Sequence, residues 1–319
     1  MKRSGFWMSL LMVLAVLTAM GLVGGQGWKA DGLKLSLSGA VRDKIAVVPV
    51  YGELVSPEFV VQLLHRYRDE VKGLKAVVLA IDSPGGGVAA AQEIVEAVQD
   101  LQDHGIYVVA AMGSMAASGG YYIAAPCDRI VANPGTLTGS IGVIMQTVDA
   151  KKILDKVGLD FEVVKSGEFK DAGSISRPLT AKERALFQGV INDVYGQFLD
   201  VVAEERKAPI RAVLAKRKHV PEQGVSDADI RNFVKSYADG RVFSGRMALE
   251  YGLVDELGGL DKAVHSAAEL AGLQNPDVVT YKEGKTFAEL LTGISKADIR
   301  SWASAALGAS THKFGFYAW

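Results

Sequence analysis

KAVVLAIDSPGGGVAAAQEIVEAVQDLQ (75–102) is the stretch whose reading decides the fold. After Lys75 its first residues form a short uncharged apolar run, the mark of a strand covered on both faces. A proline and three glycines then break the run. Residues 88–102 bring apolar side chains back at helical spacing. A buried strand, a glycine turn and an amphipathic helix make one β-α unit. KIAVVPV (44–50), IYVVAA (106–111), RIVAN (129–133) and FEVVK (161–165) are further strand candidates. Between the strands at 44–50 and 75–81, Ser56-Pro57 reads as an N-cap and a first-turn proline. Phe59, Leu63 and Tyr67 then recur every four residues and predict a helix. A longer helix begins at Thr180, which makes a capping-box pattern with Glu183, and Leu186, Val190, Val194 and Phe198 continue its apolar stripe. This alternation predicts an α/β domain over residues 44–275. Beyond it, a C-terminal extension (276–319) with weaker signals ends in the aromatic tail KFGFYAW.

The chain carries 35 basic and 36 acidic residues for a formal charge of -1, so no global field favours nucleic acid as a partner. Its single cysteine, Cys127, excludes an intrachain disulfide and argues against a Cys-based metal site. It reads as a small buried hydrophobe. At the N-terminus, Lys2 and Arg3 precede an uncharged run from Ser4 to Trp28. About 20 apolar residues span a bilayer core. Residues 1–28 therefore read as an N-terminal transmembrane helix, N-terminus inside, with the remainder extracytoplasmic. A cleaved signal peptide is the competing reading, against which stand the length of the run and the lack of an A-x-A site. Residues 29–43 form a linker. The basic segment RKAPIRAVLAKRKH (206–219) reads as a solvated helical face, with attraction to anionic headgroups as the sharper alternative. The aromatic tail fits packing on the domain or a neighbouring subunit better than insertion at a membrane interface.

Three glycine-rich turns follow strand candidates: DSPGGG (82–87), GSMAASGG (113–120) and NPGTLTGS (133–140). DSPGGG has neither the G-x-x-x-x-G-K-S/T pattern nor a dinucleotide fingerprint, which speaks against phosphate binding. An oxyanion hole explains more. Gly85 and Gly86 precede a helix, and Gly119 directly follows Ser118, so their N–H groups are placed to meet a developing negative charge. On the glycines alone, tight helix-to-strand packing is an equal explanation. A serine nucleophile also needs a base. None of the five histidines (His65, His104, His219, His265 and His312) sits in a glycine-rich turn, so a Ser-His-Asp triad is poorly supported. A lysine serves if it is neutral near working pH, a drop of roughly 3 units from about 10.4. Lys170 in SGEFKDAGS is the best candidate, in a loop of small residues after the expected strand 161–165. Asp171 beside it would oppose that drop if the two charges met.

GSMAASGGYYIAAPCDRIVANPGTLTGSIGV, with DSPGGG upstream and SGEFKD downstream, resembles the signal peptide peptidase A family of the S49 peptidases in its short, single-repeat form. RVFSGRMALEYGLVDELGG (241–259) matches a further recurring family segment, and the likeness covers about residues 40–275. The resemblance implies a Clp-protease/crotonase-like fold of stacked β-α units, with 44–275 as the catalytic domain. It implies a membrane-anchored serine endopeptidase that degrades released signal peptides and other apolar peptides through an acyl-enzyme. Carried over, Ser118 is the nucleophile, Lys170 the general base and Ser140 the hydroxyl that orients the lysine. Gly119 and one glycine of DSPGGG form the oxyanion hole, Gly86 being favoured over Gly85. Asp82, Ser83 and Pro84 shape the turn. No metal or cofactor is expected. The implied partners are peptides and further copies of the chain, in a ring, octameric in the expectation, on the cytoplasmic membrane. In that ring one subunit gives the serine and the next the lysine. Two other readings stand beside it: a crotonase-type acyl-CoA enzyme and a catalytically silent membrane scaffold.

Overall fold

The computed structural model describes residues 42–281 and the backbone of residues 317–318. The expected transmembrane helix (1–28), nearly all of the linker and most of the C-terminal extension lie outside the described residues. Among the described residues no helix is long and apolar enough to cross a membrane.

In chain order the elements are β1 (Lys44–Tyr51), α1 (Glu58–Glu70), β2 (Leu74–Ser83), β3 (Gly86–Gly87), α2 (Val88–Asp103), β4 (Tyr107–Ala117), α3 (Gly119–Ala124), β5 (Arg129–Ala132) and β6 (Leu137–Gly139). There follow α4 (Lys151–Val157), α5 (Ala181–Glu205), α6 (Lys207–Lys218), α7 (Asp227–Tyr237), β7 (Val242–Ser244), α8 (Gly245–Glu250), β8 (Glu256–Leu257), α9 (Leu260–Leu270), β9 (Asp277–Thr280) and β10 (Tyr317–Ala318). The main sheet runs β7-β6-β4-β2-β1-β9, with β5 branching from β4 and carrying β8. All its pairings are parallel except β6 with β7.

Alternation along β1 shows how the sheet is covered on both faces. Ala46, Val48 and Val50 face the core beneath α1, α2 and α3, where Leu64, Ile94, Leu101 and Tyr121 are fully buried. Ile45 and Val47 face the other way, against Ala263, Ala267 and Ala268 of α9. Small residues on both sides of this second layer (Ala76, Ala80 and Ala111 on the sheet) let α9 lie close to the strands. The fold is thus a mixed α/β layer structure, as the β-α alternation predicts.

Several local expectations change. Helix α1 starts at Glu58, with Pro57 rather than Ser56 at the cap, because the Ser56 hydroxyl bonds the Glu58 carboxylate instead of a backbone N–H. Phe59 is 46% exposed and packs edge-on against Tyr281, while Leu63 and Tyr67 turn inward. FEVVK (161–165) is not a strand: its residues are exposed and it takes no place in the sheet. β9 lies beyond the boundary at 275 and pairs with β1, so the sheet continues into the expected extension. The capping box at α5 is realised: Glu183 N–H donates to Thr180 Oγ1 at 3.2 Å, and Thr180 N–H to Glu183 Oε2 at 2.8 Å. Cys127 is buried, which pushes its thiol pKa up.

The basic segment 206–219 divides. Arg206 is 3% exposed, donates through Nη1 to Asp255 Oδ2 at 3.0 Å, and bonds the Gly252 carbonyl. Asp255 also accepts the Ile130 N–H at 2.7 Å, so this pair ties the α5–α6 junction to β5. Farther along, Lys207 and Arg211 meet Asp227, and Lys218 meets Asp229, all on α7. Arg217 lies over the rings of Phe233 and Tyr251. Much of the positive charge is therefore matched within the domain. Removing one member of a buried ion pair strands the other, at a cost of about 3–5 kcal/mol. Arg206→Ala should lower unfolding stability by about that amount in urea titration, whereas Lys218→Ala on the exposed side should change it by under about 1 kcal/mol.

Candidate active site

The site forms where β2 and β4 run into glycine-rich turns. β4 pairs with β6 so that Ala117 faces Gly139, and the next residue on each strand is a serine. Ser118 takes φ 54 and Ser140 φ 50, a left-handed region that non-glycine residues rarely enter. Both turns are held from behind. The Ser118 N–H donates to the Gly139 carbonyl at 2.8 Å, and the Ser140 N–H to the Arg241 carbonyl at 2.8 Å. Gly139 has φ 78, and a Cβ there would stand 2.6 Å from the Phe243 ring. The segment 241–259 thus backs Ser140 through β7, a role that its sequence does not disclose.

Ser118 ends β4 and caps α3, whose Tyr122 N–H donates to its carbonyl at 2.8 Å. The residue is fully buried, and among the described residues its Oγ has no hydrogen-bond partner. An orphaned buried hydroxyl in a strained strand-to-helix turn calls for a functional account, and a serine that attacks once a base is brought to it is one such account. Gly119 follows it. A Cβ at Gly119 would fall 3.1 Å from the Leu54 side chain, 3.3 Å from the Gly85 Cα and 3.4 Å from the Gly86 nitrogen, so glycine lets the two turns meet.

The hydrogen bonds of the DSPGGG turn separate its glycines. Gly85 N–H donates to Ser83 Oγ at 3.1 Å, and Gly87 N–H to the Leu54 carbonyl at 2.7 Å. Gly86 lies between them, bridged in parallel with Leu54, so its own N–H is turned away from Leu54. Its φ is 151, and a Cβ there would stand 2.6 Å from the Leu54 backbone. Asp82 accepts the Met115 N–H at 3.1 Å and so braces the turns against each other. Leu54, which spaces all three glycines, was not singled out from the sequence; nothing in GELV marks it, because its role depends on residues about thirty positions away.

Lys170 stands apart. From Lys151 to Lys170 every residue is exposed except the half-buried Leu154. No residue of α4 is buried, and Val164 is 95% exposed. No hydrogen bond joins Lys170 to Ser118 or Ser140 among the described residues. Its loop is nevertheless anchored at the base. Asp171 is engaged by Arg177 and Lys165, not by Lys170, and these cations hold its carboxyl well below the usual range. Arg177 also pairs with Glu183 of α5. That contact, with the Thr180 backbone bond, holds the Glu183 carboxyl down to about 2. The four histidines among the described residues make no bond to Ser118; His104 bonds the Asp100 carbonyl and His265 meets Glu269.

Two outcomes follow from this geometry. Gly86→Ala keeps the N–H, but its Cβ would stand 2.6 Å from the Leu54 backbone and must displace the turn. Moving that N–H out of place should cut the rate of fluorophosphonate labelling of Ser118 by about 10²–10³-fold, as losing one oxyanion donor does, whereas Gly135→Ala, which meets nothing within 4 Å, should leave it unchanged. Because the folded pKa of Glu183 is depressed, its contribution is present above the unfolded value of about 4.3 and is lost as pH falls toward about 2. Hydrogen exchange of residues 171–177 should therefore quicken over that acid window, and Arg177→Gln should show the faster exchange already at neutral pH.

Residues 100–220 and 228–274 match the model of Peptidase family S49. A Synechocystis sp. protein named "Putative protease" is 40% identical over 257 residues, covering 80% of this chain and 84% of that one. The chloroplastic serine protease SPPA of Arabidopsis thaliana is 31% identical, over 85% of this chain and 40% of its own length. Among solved structures, a mutant of a membrane-bound stomatin-specific protease in complex with a substrate peptide aligns with TM-score 0.42 and 17% identity, over 78% of this chain and 96% of that one.

Proposed function

Since the chain belongs to peptidase family S49 and is a serine peptidase, we propose that Ser118 is its nucleophile and that Lys170 of a neighbouring copy is its general base. The observation that carries this is the buried Ser118 hydroxyl without a partner among the described residues, while Lys170 rides on an exposed excursion. Ile153, Phe161, Val164 and Phe169 are exposed on that excursion, an apolar surface of the kind that a second subunit covers. Desolvation at such a contact also favours a neutral amine over an ammonium.

In the reaction, lysine Nζ takes the proton from Ser118 Oγ as the oxygen bonds to the peptide carbonyl carbon. The carbonyl oxygen becomes an oxyanion held by the Gly86 and Gly119 N–H groups. The C–N bond then breaks, and the leaving amine takes the proton from the lysine ammonium, leaving an ester on Ser118. Water, deprotonated by the same lysine, attacks that ester; the acid product departs and Ser118 regains its proton. The Ser140 hydroxyl, one residue beyond the strand paired with β4, orients the lysine.

Peptides are the substrates, bound as an added strand. β10 pairs antiparallel with β3, so the Gly86–Gly87 edge takes up extended chain. The β-α layers with an oxyanion turn after β2 support a Clp-protease/crotonase-like fold. The apolar run near the N-terminus anchors the chain in the cytoplasmic membrane, with the catalytic domain extracytoplasmic. There it meets released signal peptides and other apolar peptides, as an octameric ring.

Ser118→Ala and Lys170→Ala should each abolish peptide cleavage while leaving assembly intact. Co-assembly of the two inactive variants should restore activity, since a Lys170→Ala subunit still gives serine and a Ser118→Ala neighbour still gives lysine. Mixed rings that stay inactive, or an active monomer in the ultracentrifuge, would place the base within one chain and overturn the shared site.

A further inference from the structure

Which side chain the substrate carries beside the cut carbonyl is a question that a cavity next to Gly119 answers. Its walls are Val88 and Ala91 of α2, Gly119 and Tyr122 of α3, and Val194 and Phe198 of α5. Gly119 belongs both to this wall and to the oxyanion hole, and Val88 follows Gly86 by two residues. A carbonyl held by Gly86 and Gly119 therefore directs the substituent on its acyl side into this cavity.

The space is small. Its volume is about 10 Å³, near the minimum that holds one water. A methyl group is of that size, and an isobutyl or benzyl group is not. Phe198 closes the floor. It is buried, and its ring meets Tyr122 edge-on with centroids 5.0 Å apart. Tyr122 is buried as well, so neither ring has open space to turn into. At the rim, Gln92 Nε2 donates to Gln197 Oε1 at 3.0 Å, and Gln197 Nε2 to Asp193 Oδ2 at 2.9 Å. This exposed polar bridge runs from α2 to α5. The extended segment that pairs with the Gly86–Gly87 edge places an alanine, Ala318, opposite Gly86.

We propose that Phe198 is a specificity-determining residue: it restricts the residue on the acyl side of the cut bond to alanine size, and the Gln92–Gln197 bridge holds that limit in place. The proposal rests on the assignment of Ser118 as nucleophile. Each methylene that a pocket accepts or refuses is worth about 10–200-fold in kcat/KM, so the limit is readable in a peptide series.

The test uses assembled full-length protein and peptides that differ only at the acyl-side residue, Ala, Val, Leu or Phe, with fluorophosphonate labelling of Ser118 run in parallel. Wild-type protein should prefer Ala over Leu by at least about tenfold in kcat/KM, and Phe198→Ala should reverse that order. Phe198→Leu, a smaller change to the core, should give an intermediate ratio, and Gln197→Ala should raise Val relative to Ala. A wild-type preference for Leu or Phe, or an unchanged ranking in both Phe198 variants while Ser118 labels normally, overturns the proposal and leaves the nucleophile standing. Absence of Ser118 labelling in the wild-type protein removes the nucleophile assignment and the proposal with it.

Discussion

A single strained turn organises the site. Ser118 at φ 54 and ψ -119 occupies backbone territory that costs on the order of 1–3 kcal/mol for a non-glycine residue. It persists because its surroundings over-determine it. β4 fixes Ala117 against Gly139, the Ser118 N–H is held by the Gly139 carbonyl, and α3 begins at once with Tyr122 bonded back to Ser118. β6 is in turn clamped by β7, whose Phe243 presses on Gly139. The segment around β7 thus helps to keep one serine in an unfavourable conformation, its hydroxyl buried.

The oxyanion turn depends on the same packing. Gly86 and Gly119 approach each other because neither has a Cβ and because Leu54 bridges them from the side. The surrounding bonds occupy the competing donors, so the turn presents one N–H where three glycines stand in sequence. In the proposed reaction Gly86 and Gly119 would be a pair of donors fixed before any substrate arrives, which is what lets hydrogen bonds stabilise developing charge without reorganisation.

The excursion that carries Lys170 follows a different logic. It has almost no buried residue, yet Arg177 links Asp171 to Glu183 and ties its base to the first turn of α5. The apolar stripe of α5 shows the same division within one helix. Phe198 is buried in the domain, whereas Leu186, twelve residues earlier, is 43% exposed. The stripe is apolar throughout but covered along only part of its length, which is the surface that the proposed neighbouring copy would cover.

Much of the fold is legible in residues 44–133, because buried parallel strands and amphipathic helices have distinct periods and glycine turns separate them. The capping box at Thr180 is legible for the same reason: it is a contact between residues three apart. FEVVK misleads because strand propensity means little without a strand to pair with and a face to bury, and Ser56 because a neighbouring carboxylate competes for its hydroxyl. By itself, the sequence determined the β-α order, the glycine turns and the residue types able to do serine chemistry, all of them local patterns. Only the tertiary structure decided that Gly85 N–H and Gly87 N–H are already bonded, that the Ser118 hydroxyl is buried without a partner among the described residues, and that Lys170 is exposed. The physical reason is that hydrogen-bond donors and burial are allotted by partners far along the chain, such as Leu54, Gly139 and Arg241, and no local pattern records which of them will arrive.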